Sequence, residues 1–206
     1  MPAVSVVLPV FNAVSTIFRA VRSILDQAFS NLECIVVDDG STDGTAEVLS
    51  DMCDDRLQVL SLPHQGVASA MNAGVRLARA PLLARMDADD YSHRHRLQKQ
   101  IEYLHECGVD VTGCQVHILN GKGSPVMSMR RYEHWINHET PNHEMIMALR
   151  FVELPIVNPT ILAKRSYFEL ECRSDDFPED YDLMLRAASA GLRFGKVPEK
   201  LLDWVD

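Results

Sequence analysis

Three short clusters carry the chemistry this sequence can do. Asp87-Ala88-Asp89-Asp90 sets two carboxylates two positions apart, Asp38-Asp39 supplies a second acidic pair, and Pro9-Val10-Phe11-Asn12 gives an apolar run a polar, turn-forming end. Asp-X-Asp offers hard oxygen donors with no His or Cys beside them. That suits Mg2+ or Mn2+, which take one or two carboxylates and fill their shell with water and substrate phosphates. A plainer role exists for strand-end Asp, which commonly caps the next helix or closes an Asx turn. It accounts for Ser41, Thr42 and Asp90. It strains to account for two acidic clusters at one edge of a sheet, where like charges repel unless a cation or a set of donors compensates. A later acidic pair, Glu179-Asp180, opens a helical stretch; taken alone, it reads as a complement to the helix dipole.

The elements that must hold these clusters alternate through the first half. The continuous apolar run Val4–Leu8 predicts a strand covered on both faces, and Leu32–Val37, Leu57–Leu60 and Leu82–Met86 predict three more strands. Helical spacing predicts helices near Val14–Gln27, Thr45–Cys53, Val67–Arg79 and Arg94–Cys107. This order implies a doubly wound, mostly parallel sheet with right-handed crossovers, flanked by helices. In such sheets, ligands sit beyond the carboxyl ends of the strands, where all three clusters fall. The second half is less regular: a strand over Val109–Leu119, a turn at Asn120–Pro125, a helix over Glu144–Val152, a strand over Asn158–Ala163 and a helix over Asp180–Gly191. The apolar and Met-bearing stretch from Trp135 to Val152 reads as core-packing helix, with an acceptor- or membrane-facing flap as the alternative.

Composition narrows the classes. At 206 residues and 47% hydrophobic, the chain can bury about 70% of its unfolded surface, enough for one α/β domain over 1–206. A formal charge of −9, with no basic block, argues against a nucleic-acid partner. Five widely spaced cysteines without a Cys-X-X-Cys pair read as reduced thiols in a cytoplasmic chain. The apolar run Ala3–Val10 is too short for a signal peptide or a membrane span. The histidines show no convincing metal spacing and stay outside the site.

Taken in order, the motifs resemble an inverting family-2 glycosyltransferase of the GT-A fold. The resemblance runs through Pro9-Val-Phe-Asn-Ala13, Val37-Asp-Asp-Gly-Ser-Thr-Asp43, Gly66-Val-Ala-Ser-Ala-Met-Asn-Ala-Gly74 and Ala84-Arg-Met-Asp-Ala-Asp-Asp90. It continues through Arg96-Leu-Gln-Lys-Gln100, Asn158-Pro-Thr160 and Glu179-Asp-Tyr-Asp-Leu183, covering nearly the whole chain. It implies a nucleotide-diphosphate sugar donor, usually a UDP-sugar. Pro9, Val10, Phe11 and Asn12 would lie against the base and Asp39 would hydrogen-bond it. Asp87, with Ala88, would sit by the ribose, and Asp89 with Asp87 would hold Mn2+ or Mg2+ at the diphosphate. Asp180 would be the catalytic base, with Glu179 as second candidate and Asp182 facing the same cleft.

The resemblance further implies a nucleotide half near 1–107 and a sugar and acceptor half near 108–206. The acceptor would be a glycan or a lipid-linked glycan in polysaccharide or glycolipid synthesis, made in the cytoplasm or at the inner face of the membrane through peripheral or partner-protein contact. Met71, Asn158 and Met184 depart from the family pattern, and the chain stops in the apolar run before Asp206, as a trimmed or minimal member would. A nucleotide-sugar binding module that has lost turnover is the alternative. Gly-X-Gly-X-X-Gly, which a dinucleotide-dependent oxidoreductase would carry after the first strand, is missing.

Overall fold

The structure is a computed structural model that describes residues 1–173 and 177–205. Its strands are β1 (Val4–Val10), β2 (Leu32–Asp38), β3 (Leu57–Ser61), β4 (Leu82–Arg85), β5 (Tyr91–Ser92), β6 (Val111–Leu119), β7 (Leu162–Lys164) and β8 (Phe194–Val205). Its helices are α1 (Ile17–Leu25), α2 (Thr45–Ser50), α3 (Val67–Leu77), α4 (Arg96–Cys107), α5 (Arg130–His138), α6 (His143–Leu149), α7 (Arg165–Phe168) and α8 (Glu179–Ser189). All residues of β1 and β2 are buried, as continuous Val, Ile and Leu runs require when helices cover both faces of a sheet.

One eight-stranded sheet runs in the order β3-β2-β1-β4-β7-β6-β8-β5. The β3-β2-β1-β4 half is parallel, with β2 and β4 on opposite sides of β1, so the strand order reverses at β1 and leaves a crevice at the carboxyl ends. Beyond β4 the sheet is mixed: β7 runs antiparallel to both β4 and β6, while β8 runs parallel to β6 and antiparallel to β5. The expected mostly parallel sheet thus describes the first half, and the second half curls away from it. Apolar side chains fill both faces: Leu8, Val21, Ile24 and Val36 on one, Val7, Ile35, Met71 and Leu183 on the other. Gly74 lets α3 lie directly on β1 and β2, because a Cβ there would stand 2.4 Å from Val7 Cγ1 and 3.1 Å from Val37 Cγ2.

The second half departs from the sequence reading in three places. Asn158–Thr160 is a single 3-10 turn, and the strand begins only at Leu162. Trp135–Val152 divides between α5 and α6, which are separated by Glu139–Asn142; the Asn142 side chain accepts from Met145 N to start α6. The longest strand, β8, was not expected. Its pairing with β6 jumps from Cys114↔Val197 to Gln115↔Lys200, so Pro198 and Glu199 leave the ladder as a bulge. Among the described residues, no helix is long and apolar enough to cross a membrane.

Candidate active site

The first strand-end loops are fastened to each other by side chains. Asn12 takes a left-handed conformation at φ 51°; its N–H donates to Ser41 Oγ at 2.9 Å and its Oδ1 accepts from Thr42 N at 2.8 Å. Asp43 accepts from Val14 N and Thr45 N at 3.0 Å each, so the start of α2 holds the approach to α1. Asp38 accepts from Ser41 N at 3.0 Å in an Asx turn. Asp39 is buried, and its two oxygens accept from Gln65 N and Gly66 N at 2.8 Å each, with His64 Nδ1 2.8 Å from Oδ2. Backbone donors therefore compensate this acidic pair, and it needs no cation.

Above Asp39, the Phe11 ring stacks on His64 with centroids 4.1 Å apart at 24°. Pro9, Val10, Phe11, Asp39, His64 and Val67 line a cavity of about 240 Å³. Flat, mostly apolar walls with one acceptor at the rim suit a planar heterocycle. His64 was not singled out from the sequence; it lies in the loop after β3 and only the fold brings it onto Phe11.

At the end of β4, Asp87 Oδ1 accepts from Arg85 Nε at 3.0 Å. Arg19 Nη2 holds the Asp89 carbonyl at 2.8 Å, across from α1. Among the described residues, no donor from another residue sits on the Asp89 carboxylate, which takes only its own backbone N–H, or on Asp87 Oδ2. Loss of hydration, then the adjacent Asp87 charge, raise the Asp89 carboxyl above its ordinary value. Ala88 spaces the two carboxylates. Asp90 does not cap α4: it is fully buried, accepts from Val205 N at 2.9 Å, and is pushed up to about 8 by burial and then by the Asp87 charge.

The helix-opening pair faces the same end of β4. Arg85, only 8% exposed, reaches Glu179 Oε1 with Nη1 at 3.3 Å while holding Asp87. With its oxygen oriented toward the guanidinium, the Asn158 amide accepts from Arg85 Nη1 at 2.5 Å and Nη2 at 3.2 Å. Burial alone would lower Arg85, but the Asp87 and Glu179 carboxylates outweigh it and raise the guanidinium. Asp180 lies beside Glu179, and burial followed by the Glu179 charge raises its carboxyl. Asp87, Arg85, Glu179 and Asp180 share a cavity of about 370 Å³ with Tyr132 and Trp204 as aromatic walls.

Four further residues of these motifs lie outside the cavity. Asp182 does not face the cleft: one turn along α8 it pairs with Arg186 at 2.7 Å. Met71 and Met184 are each 1% exposed, so these departures from the family pattern are core residues. Asn72 bonds the backbone of Cys172 in both directions, at 2.7 and 2.8 Å.

The Asp87 and Asp89 oxygens fit a hard cation that keeps water and substrate ligands. Among the described residues, no cluster of three or more His, Cys, Asp or Glu side chains could hold a metal by itself.

A doubly wound sheet with a base-sized pocket at β1, an Asp-X-Asp at β4 and a buried arginine tying it to a helix-borne carboxylate pair defines a glycosyltransferase domain with a GT-A-like fold. The model of the family described as glycosyl transferase family 2 matches residues 5–170, and the chain belongs to that family. A curated glycosyltransferase of Rickettsia conorii, itself uncharacterized, is 27% identical over 179 residues, which cover 86% of this chain and 28% of that protein. Residues 1–349 of S. aureus TarS superpose with a TM-score of 0.80 at 20% identity, covering 100% of this chain and 60% of TarS 1–349; TarS 1–349 has also been solved with UDP-GlcNAc. The mannosyltransferase PcManGT of Pyrobaculum calidifontis, solved with GDP-Man and Mn2+, superposes at 0.75 and 20% identity, covering 100% of this chain and 56% of that one. The chain thus spans less than two thirds of each of these proteins.

Proposed function

We propose that this chain transfers a sugar from a nucleotide-diphosphate donor, with UDP the favoured nucleotide, to an acceptor hydroxyl with inversion, and that it requires Mn2+ or Mg2+. The observation that carries this reading is Arg85, which brings the Asp-X-Asp end of β4 and the Glu179-Asp180 end of α8 into one cavity. Pro9, Val10, Phe11, Asn12 and Asp39 receive the base, and Asp87 and Ala88 lie toward the ribose. Asp89, with Asp87, holds the cation. When bound, a divalent cation stabilises the charge gathering on the departing diphosphate.

Asp180 takes the proton of the attacking acceptor hydroxyl. Glu179 is tied to Arg85, so Asp180 is the carboxylate left with capacity, and its raised pKa brings it closer to that task at neutral pH. Tyr132 and Trp204 give the acceptor's sugar ring flat faces to lie against. The acceptor is a glycan or lipid-linked glycan. Donor contacts fall on residues 1–107 and acceptor contacts on 108–206. All five cysteines are free, which supports a cytoplasmic placement, with the acceptor met directly or at the inner membrane face.

Calorimetry with UDP, with and without Mn2+, tests the donor site. Wild type is expected to bind UDP more tightly with Mn2+, and Asp89→Ala to lose that dependence; equal affinities with and without Mn2+ sink the metal assignment. Transfer assayed for wild type and Asp180→Asn tests the reaction. If both bind UDP alike and neither transfers sugar from any donor, the chain is a binding module.

A further inference from the structure

A second cavity, of about 410 Å³, lies outside the machinery described above. Arg130, Glu133, His134 and His138 recur at one helical face of α5, and His117 on β6 and Lys200 on β8 face them. Tyr132, on the opposite side of α5, lines the catalytic cavity, so the helix stands between the two spaces. In a chain carrying −9, this gathering of two permanent cations and three imidazoles is out of keeping with the rest of the molecule.

Among the described residues, the one carboxylate lining this cavity, Glu133, is already committed. Glu133 Oε1 pairs with Lys200, and Oε2 accepts from Ile118 N at 3.3 Å. Asp203, the nearby carboxylate on β8, is held by His93 Nε2 at 2.8 Å, and the His93 ring stacks on His117 at 6.0 Å. The His134 and His138 rings lie 4.8 Å apart, one turn from each other. Among the described residues, Arg130 has no carboxylate partner. Three imidazoles raise the question of a metal, but among the described residues no group of three ligands has the geometry to hold one. What the lining offers in surplus is N–H donors and positive charge.

We propose that this cavity binds a tetrahedral oxyanion, a phosphate group either free or carried on a glycan, with Arg130 as its main anchor and His117, His134 and His138 as further donors. Arg130 presents a planar fork suited to two oxygens of such a group. Occupancy is coupled to pH through His117. Burial, then Lys200, lowers its pKa, opposed by Asp203 and Glu133, with His93 beside it adding to the lowering. A bound dianion stabilises the imidazolium, so binding takes up a proton and strengthens as pH falls.

Sulfate is the cleanest probe of that coupling, because its own charge does not change between about pH 6 and about pH 8, the range in which an imidazole titrates. Sulfate titrations followed by histidine ring resonances are expected to show affinity about fivefold or more tighter at the lower pH. Arg130→Gln should weaken sulfate binding about tenfold, while Arg131→Gln, an exposed neighbour outside the cavity, should leave it within about twofold. Both are surface changes, and unchanged melting temperatures confirm folding. Inorganic phosphate and a glycerophosphodiester are run in parallel. Binding of the diester supports a phosphate carried on a polymer, and binding of inorganic phosphate alone supports a free or terminal one. The assignment fails if none of the three probes shifts the resonances of His117, His134 or His138. It fails equally if Arg131→Gln weakens binding as much as Arg130→Gln does. UDP affinity plays no part in these readouts, so failure of the donor site would leave them intact.

Discussion

Arg85 and Glu179, 94 positions apart in sequence, meet at 3.3 Å between Nη1 and Oε1 while the other edge of the same guanidinium holds Asp87 Oδ1 at 3.0 Å. One buried cation thereby sets the separation between the end of β4 and the start of α8. It also distinguishes two adjacent carboxylates, since Glu179 is neutralised by the pair and Asp180 is not.

Arg85→Lys keeps the charge but loses the fork, so it cannot hold Asp87 and Glu179 together. Transfer is expected to fall in kcat by about 10–100-fold, as misplacement of a reacting group by an ångström does, with UDP affinity changing much less. Arg85→Met leaves Asp87 and Glu179 without their partner and should destabilise the fold by about 3–5 kcal/mol in urea unfolding. A lysine variant with wild-type kcat would show that the bridge does not position the reaction.

Asp180→Asn is expected to lower kcat by about 10²–10⁴-fold while leaving UDP affinity in place, the range for removal of a general base. The base must be deprotonated, so activity should drop as pH falls through the Asp180 pKa, which burial and the Glu179 charge hold above the usual aspartate value. Glu179→Gln removes that raising charge and leaves Arg85, which lowers Asp180, less engaged. The acid limb of the kcat profile should therefore move to lower pH. An acid limb that shifts upward, or stays fixed, would dissociate Asp180 from the profile.

Phe11 is 46% exposed, and the His64 ring is its stacking partner at 4.1 Å. A ring left half in water at a pocket mouth has apolar area to give to a ligand. Phe11→Ala should weaken UDP binding by about 5–10-fold, roughly the value of one aromatic contact, without changing the melting temperature much. Calorimetry with UDP and with ribose 5-phosphate separates base stacking from phosphate contacts: only the former should respond.

Much of the donor side was legible because β1, β2 and β4 are buried along nearly their whole length and therefore read as largely apolar runs that end in turn-forming polar residues. The other half hid its elements for physical reasons. β8 carries Lys196, Pro198, Glu199 and Lys200, which argue against a strand until a bulge removes two of them from the ladder. α5 is polar over most of its surface, with Arg130, Arg131, Glu133, His134, Asn137 and His138, and no side chain caps its start. The acidic pair at β2 called for either a cation or a set of donors, and the donors that answer it on Asp39 are backbone groups of the loop after β3, a contact that no local pattern announces. Arg85 was invisible for a related reason. In sequence it is one strand residue among others, and its meaning lies in a partner on α8.

Lys196 gives a stability prediction from the same curled half of the sheet. It is 2% exposed, and its ammonium donates to Ile136 O, Thr140 Oγ1 and, at 2.9 Å, Pro155 O, pinning the end of α5 to the segment that leads to Val157 and Asn158 in the catalytic cavity. Burial pushes it down to about 7 from an ordinary 10.5, with only Cys114 opposing. Below the folded value, both states carry the proton and the full burial penalty is present. Between about 7 and 10.5 the unfolded chain holds the proton more tightly, so unfolding takes one up and stability rises with pH across that window. Lys196→Met fills similar space without a charge and removes this contribution. The gap in melting temperature between variant and wild type should therefore move in the wild type's favour from about pH 7 to about pH 9, inside the titration window of a depressed lysine. A gap that is the same at both values would mean that Lys196 titrates outside the window, and that the carbonyl cradle alone suffices to keep its charge.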